Sequence, residues 1–205
     1  MTLDPVAIRA ALREGRAVDD PAFDTLYPPA LRFRSEVHWT PIEVALRVAE
    51  LLDDAPGGHV LDIGAAVGKV CVVGALTTSL HWHGIERDAP LVRAAQRVAR
   101  TLEIEDRTTF VAGDAAAIDW SPFGGFYLFN PFAEGRFGHE HSDPALRRQA
   151  FAAQVAVAEA KLATVRPGSR VVTYHGFGGE LPEGYELVAR ESIRTDELCL
   201  WVRRG

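Results

Sequence analysis

The sequence predicts an α/β fold in which helices surround a mostly parallel β-sheet. From His59 onward, short apolar runs alternate with stretches of helical periodicity, which is the pattern of repeated β-α-β units. The chain ends in two extended runs, YELVARESI and ELCLWVR, separated by a short polar turn, which indicates an antiparallel hairpin. Its 205 residues suit one domain with a sizeable core, and no linker rich in Gly, Ser or Pro divides it.

The N-terminal part of the chain is expected to form a helical cap. Apolar residues recur with helical spacing over residues 4–14, and prolines punctuate residues 19–33, which indicates a loop with turns. We therefore expect residues 1–55 to form a cap or lid and residues 56–205 to form the main domain, with the two parts joined as one structural unit.

A second N-terminal helix has a clear start signal in the sequence. Thr40 is in position to act as its N-cap, Pro41 stands at the first helical position, and Glu43 completes a capping box. This helix is predicted to run to about Asp54.

The main domain follows with alternating strands and helices. Its last predicted helix is capped by Asp143 and ends near Arg166, because Pro167 and Gly168 stop it. The predicted strands are HVLDI (59–63), HWHGIE (81–86), TTFVA (108–112), GFYLFN (125–130) and SRVVTYH (169–175), and the predicted helices are 68–78, 89–102 and 144–166.

Composition and charge argue against several classes of protein. Hydrophobic residues make up 47% and charged residues 24% of the chain, which is typical of a folded globular protein. The formal net charge of −6 disfavours nucleic-acid binding, because affinity for a phosphate backbone depends on lysine and arginine. No apolar run reaches the roughly 20 residues that a membrane span needs, and the N-terminus lacks the apolar core of a signal peptide.

The cysteines and the bias in composition suggest a compartment and a source. Cys71 and Cys199 lie far apart in sequence, so neither a disulfide framework nor a cysteine zinc site is expected, and a reducing compartment fits. We therefore expect a cytoplasmic protein without a metal site. Nearly all of the positive charge is arginine and alanine is abundant, which favours a bacterial source with a GC-rich genome.

The most informative segment is VLDIGAAVGK. An apolar strand leads into Asp62, Gly64 and then Gly68 at the opening of a helix, which is where open α/β sheets bind ligands. Glycines there allow the backbone to approach a ligand closely. Glu86 ends the next strand, 22 residues after Gly64, where its carboxylate can accept hydrogen bonds from both ribose hydroxyls. The spacing predicts a nucleoside site.

This loop differs from the two common phosphate-binding loops. The three residues after Gly64 are AAV, so the dinucleotide fingerprint G-x-G-x-x-G is absent. A Walker A loop needs four residues between its glycines and Ser or Thr after its lysine, whereas this segment has three residues and a valine. Asp62 would repel an anionic ligand and attract one that carries an ammonium and a sulfonium group.

The segment resembles motif I of the class I S-adenosylmethionine-dependent methyltransferases, D-x-G-x-G-x-G, with Ala66 in place of the middle glycine. The resemblance extends from about residue 36 to the C-terminal hairpin. It implies a Rossmann-like methyltransferase fold, with a seven-stranded sheet whose last strand is antiparallel, and S-adenosylmethionine as the cofactor. We expect the loop to accommodate Ala66 with a negative φ.

The resemblance also implies which residues hold the cofactor. Asp62 and Gly64 would lie against the methionine moiety, and Glu86 would bind the ribose. Asp114, in the segment AGDAAAIDW, corresponds to the acidic residue that accepts from the adenine amino group, with Ala115 beside it. The full implied set is Asp62, Gly64, Ala65, Gly68, Glu86, Arg87, Asp114, Ala115 and Asn130.

The methyl acceptor is expected near FYLFNPF, where the fourth predicted strand ends. Asn130, Pro131 and Phe132 resemble the [D/N]-P-P-[Y/F/W] tetrad of amino-methyltransferases with one proline missing, and the segment also resembles the N-N-F-A-F type ending of the Dot1-like lysine methyltransferases. The Asn130 amide oxygen and the Pro131 carbonyl could accept hydrogen bonds from an amine, and Phe132 could cover a flat acceptor. The alternative is a strand-ending turn with Phe132 as a packing residue.

His139, or His141, is a candidate general base in the following loop.

These features together predict an enzyme that transfers a methyl group to a small molecule, with an amine nitrogen favoured over oxygen. A protein side chain is a second acceptor class, and a nucleic-acid acceptor is disfavoured. Two other functions stay open. One is a non-catalytic module that binds the nucleoside, and the other is a nicotinamide-dependent oxidoreductase on a similar sheet, against which the missing fingerprint and the terminal hairpin argue.

Overall fold

The computed structural model describes residues 4–33, 35, 39–132, 143–194 and 196–205. The strands in chain order are β1 (His59–Ile63), β2 (His81–Glu86), β3 (Thr108–Ala112), β4 (Gly125–Leu128), β5 (Arg170–Tyr174), β6 (Tyr185–Ile193) and β7 (Asp196–Arg203). They form one seven-stranded sheet in the order β3-β2-β1-β4-β5-β7-β6. Strands β1 to β5 are parallel, and β7 runs antiparallel to β5 and β6. The predicted parallel sheet with a C-terminal antiparallel hairpin is confirmed.

Helices pack on both faces of this sheet. They are α1 (Pro5–Arg13), α2 (Asp20–Asp24), α3 (Pro29–Arg32), α4 (Ile42–Leu52), α5 (Lys69–Thr77), α6 (Ala89–Thr101) and α7 (Pro144–Leu162). One apolar cluster joins Ile8 of α1 and Val44 of α4 to Val60 of β1, and a second joins Leu162 of α7 to Phe126 of β4. None of the helices in the described ranges is long and apolar enough to cross a membrane.

The segment that was expected to be a loop, residues 19–33, contains the two short helices α2 and α3. Asp19 caps α2, accepting a hydrogen bond from the Ala22 amide at 2.8 Å, and a proline stands in the first turn of each helix. Proline fits a first turn because it has no amide hydrogen to leave unbonded there. The prolines of this segment therefore mark helix starts as well as turns.

The capping box predicted for α4 is wrong. The helix begins at Ile42, and Pro41 occupies the cap position without a side-chain hydrogen bond. The Thr40 hydroxyl instead pairs with the Tyr127 hydroxyl at 2.9 Å, and the Ile42 amide donates to Asp20 Oδ1 at 2.9 Å. The carboxylate that caps α4 thus comes from α2, which ties the N-terminal segment to the main domain.

The other element boundaries differ from the predictions at their ends. Strands β1, β2 and β3 have the predicted bounds, but β4 stops at Leu128 because Asn130 has a left-handed backbone with φ 41°. Asp143 caps α7 as predicted, accepting from the Ala145 amide at 2.8 Å. That helix ends at Leu162, four residues before Arg166.

Candidate active site

The loop between β1 and α5 is held in shape by its own backbone. The amides of Gly64 and Ala65 both donate to the Ile85 carbonyl, at 2.9 and 3.0 Å, and the Gly68 amide donates to the Ala65 carbonyl at 2.7 Å. Gly64 and Gly68 have φ values of 76° and 75°, which glycine adopts without steric cost. The two glycines of the predicted motif are therefore both required by the conformation of this turn.

The expectation of a negative φ at Ala66 is wrong, because its φ is 47°. The Ala66 amide donates to Glu86 Oε2 at 3.0 Å, and this hydrogen bond holds the backbone in the left-handed region. A left-handed conformation costs a residue with a side chain about 1–2 kcal/mol. The loop keeps the shape that a glycine would favour, and the Glu86 carboxylate offsets part of the strain.

Glu86 also accepts at its other oxygen. The Asp88 amide donates to Oε1 at 2.9 Å, so the carboxylate joins the predicted cofactor loop, residues 64–68, to the start of α6. Each carboxylate oxygen has two acceptor positions, so Glu86 retains capacity for further hydrogen bonds. Glu86, the residue predicted to bind the ribose, thus lies at the loop. Its hydrogen bonds to the Ala66 and Asp88 amides also give it a structural role that the sequence did not reveal.

The cofactor loop and the end of β4 are in direct contact. A Cβ atom built on Gly64 would lie 3.0 Å from Pro131 Cβ and 3.3 Å from Pro131 Cα. The backbone amide of the preceding residue, Asn130, donates to the Gly176 carbonyl at 2.9 Å. The structure therefore brings together the two motifs that the sequence placed about 65 residues apart. A small cavity beside this contact is lined by Trp39, Thr40, Asp62, Gly64, Ala65, Ala66, Val67, Lys69, Val70, Tyr127 and Phe129.

Asp62 is a buried carboxylate at the floor of this cavity. It is 4% exposed, and the Cys71 thiol lies 3.5 Å from its Oδ2. Burial raises the pKa of Asp62, the hydrogen bond from Cys71 lowers it and the charge of Glu86 raises it, and together these effects bring the pKa to about 7. A cationic group bound in the cavity would stabilise the ionised form of Asp62.

Arg87 and Asp114 form an ion pair at the predicted adenine end. Arg87 Nη2 lies 2.7 Å from Asp114 Oδ2, and both side chains are nearly half exposed. The other Asp114 oxygen accepts from the Ala116 amide at 2.8 Å and caps the 3-10 turn Ala115–Ala117. The side-chain amide of Gln154, on α7, also faces the Arg87 guanidinium. An adenine amino group at Asp114 would therefore share that carboxylate with Arg87.

The predicted acceptor residues have different surroundings. Asn130 and Pro131 are half-buried at the carboxyl edge of the sheet. Phe132 is 9% exposed and belongs to the apolar cluster that includes Trp120. Phe132 thus has the packing role that the sequence left open as the alternative, and its cover over a flat acceptor stays a prediction. His139 and His141 lie outside the described residues.

Sequence reasoning missed an ionic cluster directly behind the loop. Lys69 is the first residue of α5, and its side chain is 2% exposed. Its ammonium donates to Asp20 at 2.5 Å and to Asp24 at 2.8 Å. The signal was a lysine that opens the otherwise apolar helix KVCVVGALT, since a buried ammonium requires carboxylate partners.

No metal-binding cluster is present in the described ranges, where no group of three or more His, Cys, Asp or Glu side chains could hold an ion.

Comparison with known proteins found relatives at the level of fold. No family model matches the sequence. Norajmaline N-methyltransferase from Rauvolfia serpentina is 36% identical over 76 residues, which are 36% of this chain and 26% of that protein. The chain thus matches about a quarter of the length of this curated relative.

Two solved structures are similar over most of the chain. An RNA methyltransferase from Salinibacter ruber, in complex with S-adenosyl-L-homocysteine, has a TM-score of 0.56 and 22% identity, covering 80% of this chain and 93% of that one. A putative O-methyltransferase from Klebsiella pneumoniae has a TM-score of 0.62 and 16% identity, covering 97% of both chains. At these identities the likeness shows a shared fold.

Proposed function

Because the chain has the fold of the class I S-adenosylmethionine-dependent methyltransferases, we propose that it transfers the methyl group of S-adenosylmethionine to an amine nitrogen, or to an oxygen, of a small molecule. The observation that carries this proposal is the contact between Gly64 and Pro131. It brings the predicted cofactor loop against the predicted acceptor motif, at the carboxyl edge where such sheets bind ligands. A donor and an acceptor held on either side of this contact would be close to each other.

The residues at the loop fit S-adenosylmethionine. Among the described residues Asp62 has no cationic partner, so its buried carboxylate suits the ammonium of the methionine moiety. Glu86 lies at the end of β2 with acceptor capacity for the ribose hydroxyls. When bound, S-adenosylmethionine supplies a methyl group on a positively charged sulfur.

This chain's own contribution is to bind and orient the acceptor. The in-line displacement needs little covalent help from a protein, so proximity and orientation dominate the rate. We propose that the Asn130 amide oxygen and the Pro131 carbonyl accept hydrogen bonds from the acceptor's N–H or O–H. Trp39 and Thr40 line the cavity, which supports the proposal that residues 1–55 form a cap over the site.

Several observations bear on the class of acceptor. The partial similarity to a norajmaline N-methyltransferase supports a nitrogen acceptor, while the similarity of fold to a putative O-methyltransferase supports oxygen. A net charge of −6 disfavours RNA, although one similar structure is an RNA methyltransferase. We retain a small molecule as the first candidate and a protein side chain as the second.

A cytoplasmic location in a bacterium, proposed from composition, agrees with the two free, buried cysteines.

The proposed function is tested by incubating the protein with methyl-labelled S-adenosylmethionine and a bacterial lysate separated into metabolite, protein and RNA fractions. Asp62→Ala is the blank. Asn130→Gly removes the side-chain amide while keeping φ 41° free of strain, so it should reduce labelling far more than it reduces cofactor binding. Label in the metabolite fraction is the expected result. If S-adenosylmethionine binds but no fraction accepts label, the non-catalytic binding module becomes the better account.

A further inference from the structure

His175 lies beside the strand end that carries Asn130. Strands β4 and β5 are parallel neighbours with Leu128 opposite Thr173, and two residues further on His175 follows β5 at the level of Asn130. The hydrogen bond from the Asn130 amide to the Gly176 carbonyl fixes the two strand ends to each other. His175 has a φ of 58°, which turns the chain away from the regular strand at this point.

The imidazole of His175 is oriented by a carboxylate. Its Nδ1 forms a hydrogen bond with Asp196 Oδ2, at the start of β7, and its backbone amide donates to the Glu197 carbonyl at 3.2 Å. A carboxylate accepts hydrogen bonds, so Nδ1 carries the proton and a neutral ring presents Nε2 as a base. The side chain is 55% exposed, and among the described residues Asp196 is its one side-chain partner.

We propose that His175, oriented by Asp196, is the general base that takes the proton from the methyl acceptor. This assignment rests on the proposed methyl transfer and adds to it the class of acceptor. The acceptor would be an amine that arrives as its ammonium form or a hydroxyl group, since a base has a role only where the nucleophile carries a removable proton. Thioethers lie outside this class.

The proposed step is balanced in protons and electrons. His175 Nε2 takes a proton from the ammonium or hydroxyl group of the acceptor, and the freed lone pair forms a bond to the methyl carbon. The bond between that carbon and sulfur breaks, and its electron pair stays on sulfur, which becomes a neutral thioether. The imidazolium then loses its proton to water, which reaches the ring because the side chain is exposed.

The charged groups around the ring suit this role. The Asp196 carboxylate at the start of β7 contacts the ring and would stabilise the imidazolium. Arg194, in the preceding turn, lies within 3.6 Å of carboxylates of the N-terminal part of the chain, which balance its charge. The pair of a histidine and an orienting carboxylate is the arrangement that activates nucleophiles in other enzymes.

The test compares His175→Asn with wild type in methyl transfer to the lysate fraction that accepts label. Asparagine tolerates the left-handed backbone, so the fold is retained. Transfer at pH 7 should fall about 10²- to 10⁴-fold, because a general base contributes about that much, and should partly recover at high pH where solvent deprotonates the acceptor. His59→Asn, at the opposite end of β1, is the matched control and should retain wild-type transfer.

Two further measurements separate this assignment from the proposed function. S-adenosylhomocysteine affinity, measured by calorimetry, should be equal in wild type and His175→Asn. NMR of the ring nitrogens should give the neutral tautomer with the proton on Nδ1, and Asp196→Asn should weaken that preference. Transfer by His175→Asn within threefold of wild type, or a proton on Nε2 in the neutral ring, would overturn the assignment. If wild type binds S-adenosylhomocysteine but labels nothing, the proposed function fails and the role of His175 fails with it.

Discussion

The ionic cluster at Lys69 allows a sharp prediction about how the N-terminal segment is attached. The Lys69 side chain is 2% exposed, and its carboxylate partners Asp20 and Asp24 are 21% and 9% exposed. Lys69→Met keeps the volume of the side chain. Among the described residues it leaves Asp24 without a cation and leaves Asp20 only the longer contact with Arg194 Nη1 at 3.6 Å. Removing one partner of a buried ion pair costs about 3–5 kcal/mol. For a protein of this size, that loss lowers Tm by about 6–20 °C.

Thermal and urea unfolding of matched variants would measure this loss. Lys161→Met is the control. Lys161 is the other lysine of the chain; it is half-buried, and its ammonium donates to the Ile118 carbonyl at 2.7 Å. Its loss should cost no more than about 1.5 kcal/mol. The triple variant Lys69→Met, Asp20→Asn, Asp24→Asn removes the whole cluster of charges and should be more stable than Lys69→Met alone.

The reasoning is refuted by either of two results. A loss below about 1 kcal/mol in Lys69→Met would mean that the carboxylates are solvated in the folded protein. A triple variant less stable than the single variant would mean that packing of these side chains, rather than an uncompensated charge, controls the stability of this region.

Three further predictions concern the cofactor loop, each read by calorimetry with S-adenosylhomocysteine. The pKa of Asp62 is raised to about 7, and a bound ammonium favours the ionised carboxylate, so binding below pH 7 must expel a proton. Affinity should therefore rise with pH in that range, by up to about tenfold per pH unit. An affinity that does not change with pH in wild type, or that changes equally in Asp62→Asn, argues against this role. Glu86→Ala should weaken binding by about 1–3 kcal/mol, because a hydrogen bond from the ribose to a charged group is lost; unchanged affinity removes Glu86 from the site. Gly64→Ala adds a Cβ 3.0 Å from Pro131 Cβ and should weaken binding. Its control is Gly58→Ala, which has a similar φ and open space around the added Cβ and should only destabilise the fold. Equal affinities of the two variants for S-adenosylhomocysteine would show that the contact with Pro131 is unimportant for binding.

The architecture was predictable because each strand leaves a local mark. Five strands and the terminal hairpin appear as apolar runs between turns, and the boundaries of β1 to β3 were correct to the residue. The start of α4 was not predictable, because its cap is the Asp20 carboxylate, 22 residues away in sequence. A capping box can be identified in a sequence, but a cap supplied by another element requires the fold.

The residues of the candidate site could be identified from the sequence, but their contacts and backbone conformations could not. Gly64 and Asn130 could each be identified as motif residues, but their meeting through Pro131 depends on β1 and β4 being neighbours in the sheet. The left-handed backbone of Ala66 follows from its hydrogen bond to Glu86, which no local pattern specifies. Likewise, His175 stands out only once β7 brings Asp196 to it.

The most direct test of the account is calorimetric titration of the purified chain with S-adenosylmethionine, S-adenosylhomocysteine and NAD. The account predicts that the first two bind one to one, that Glu86→Ala weakens both, and that NAD gives no heat of binding. Binding of NAD without binding of S-adenosylhomocysteine would contradict it and would favour the nicotinamide-dependent oxidoreductase.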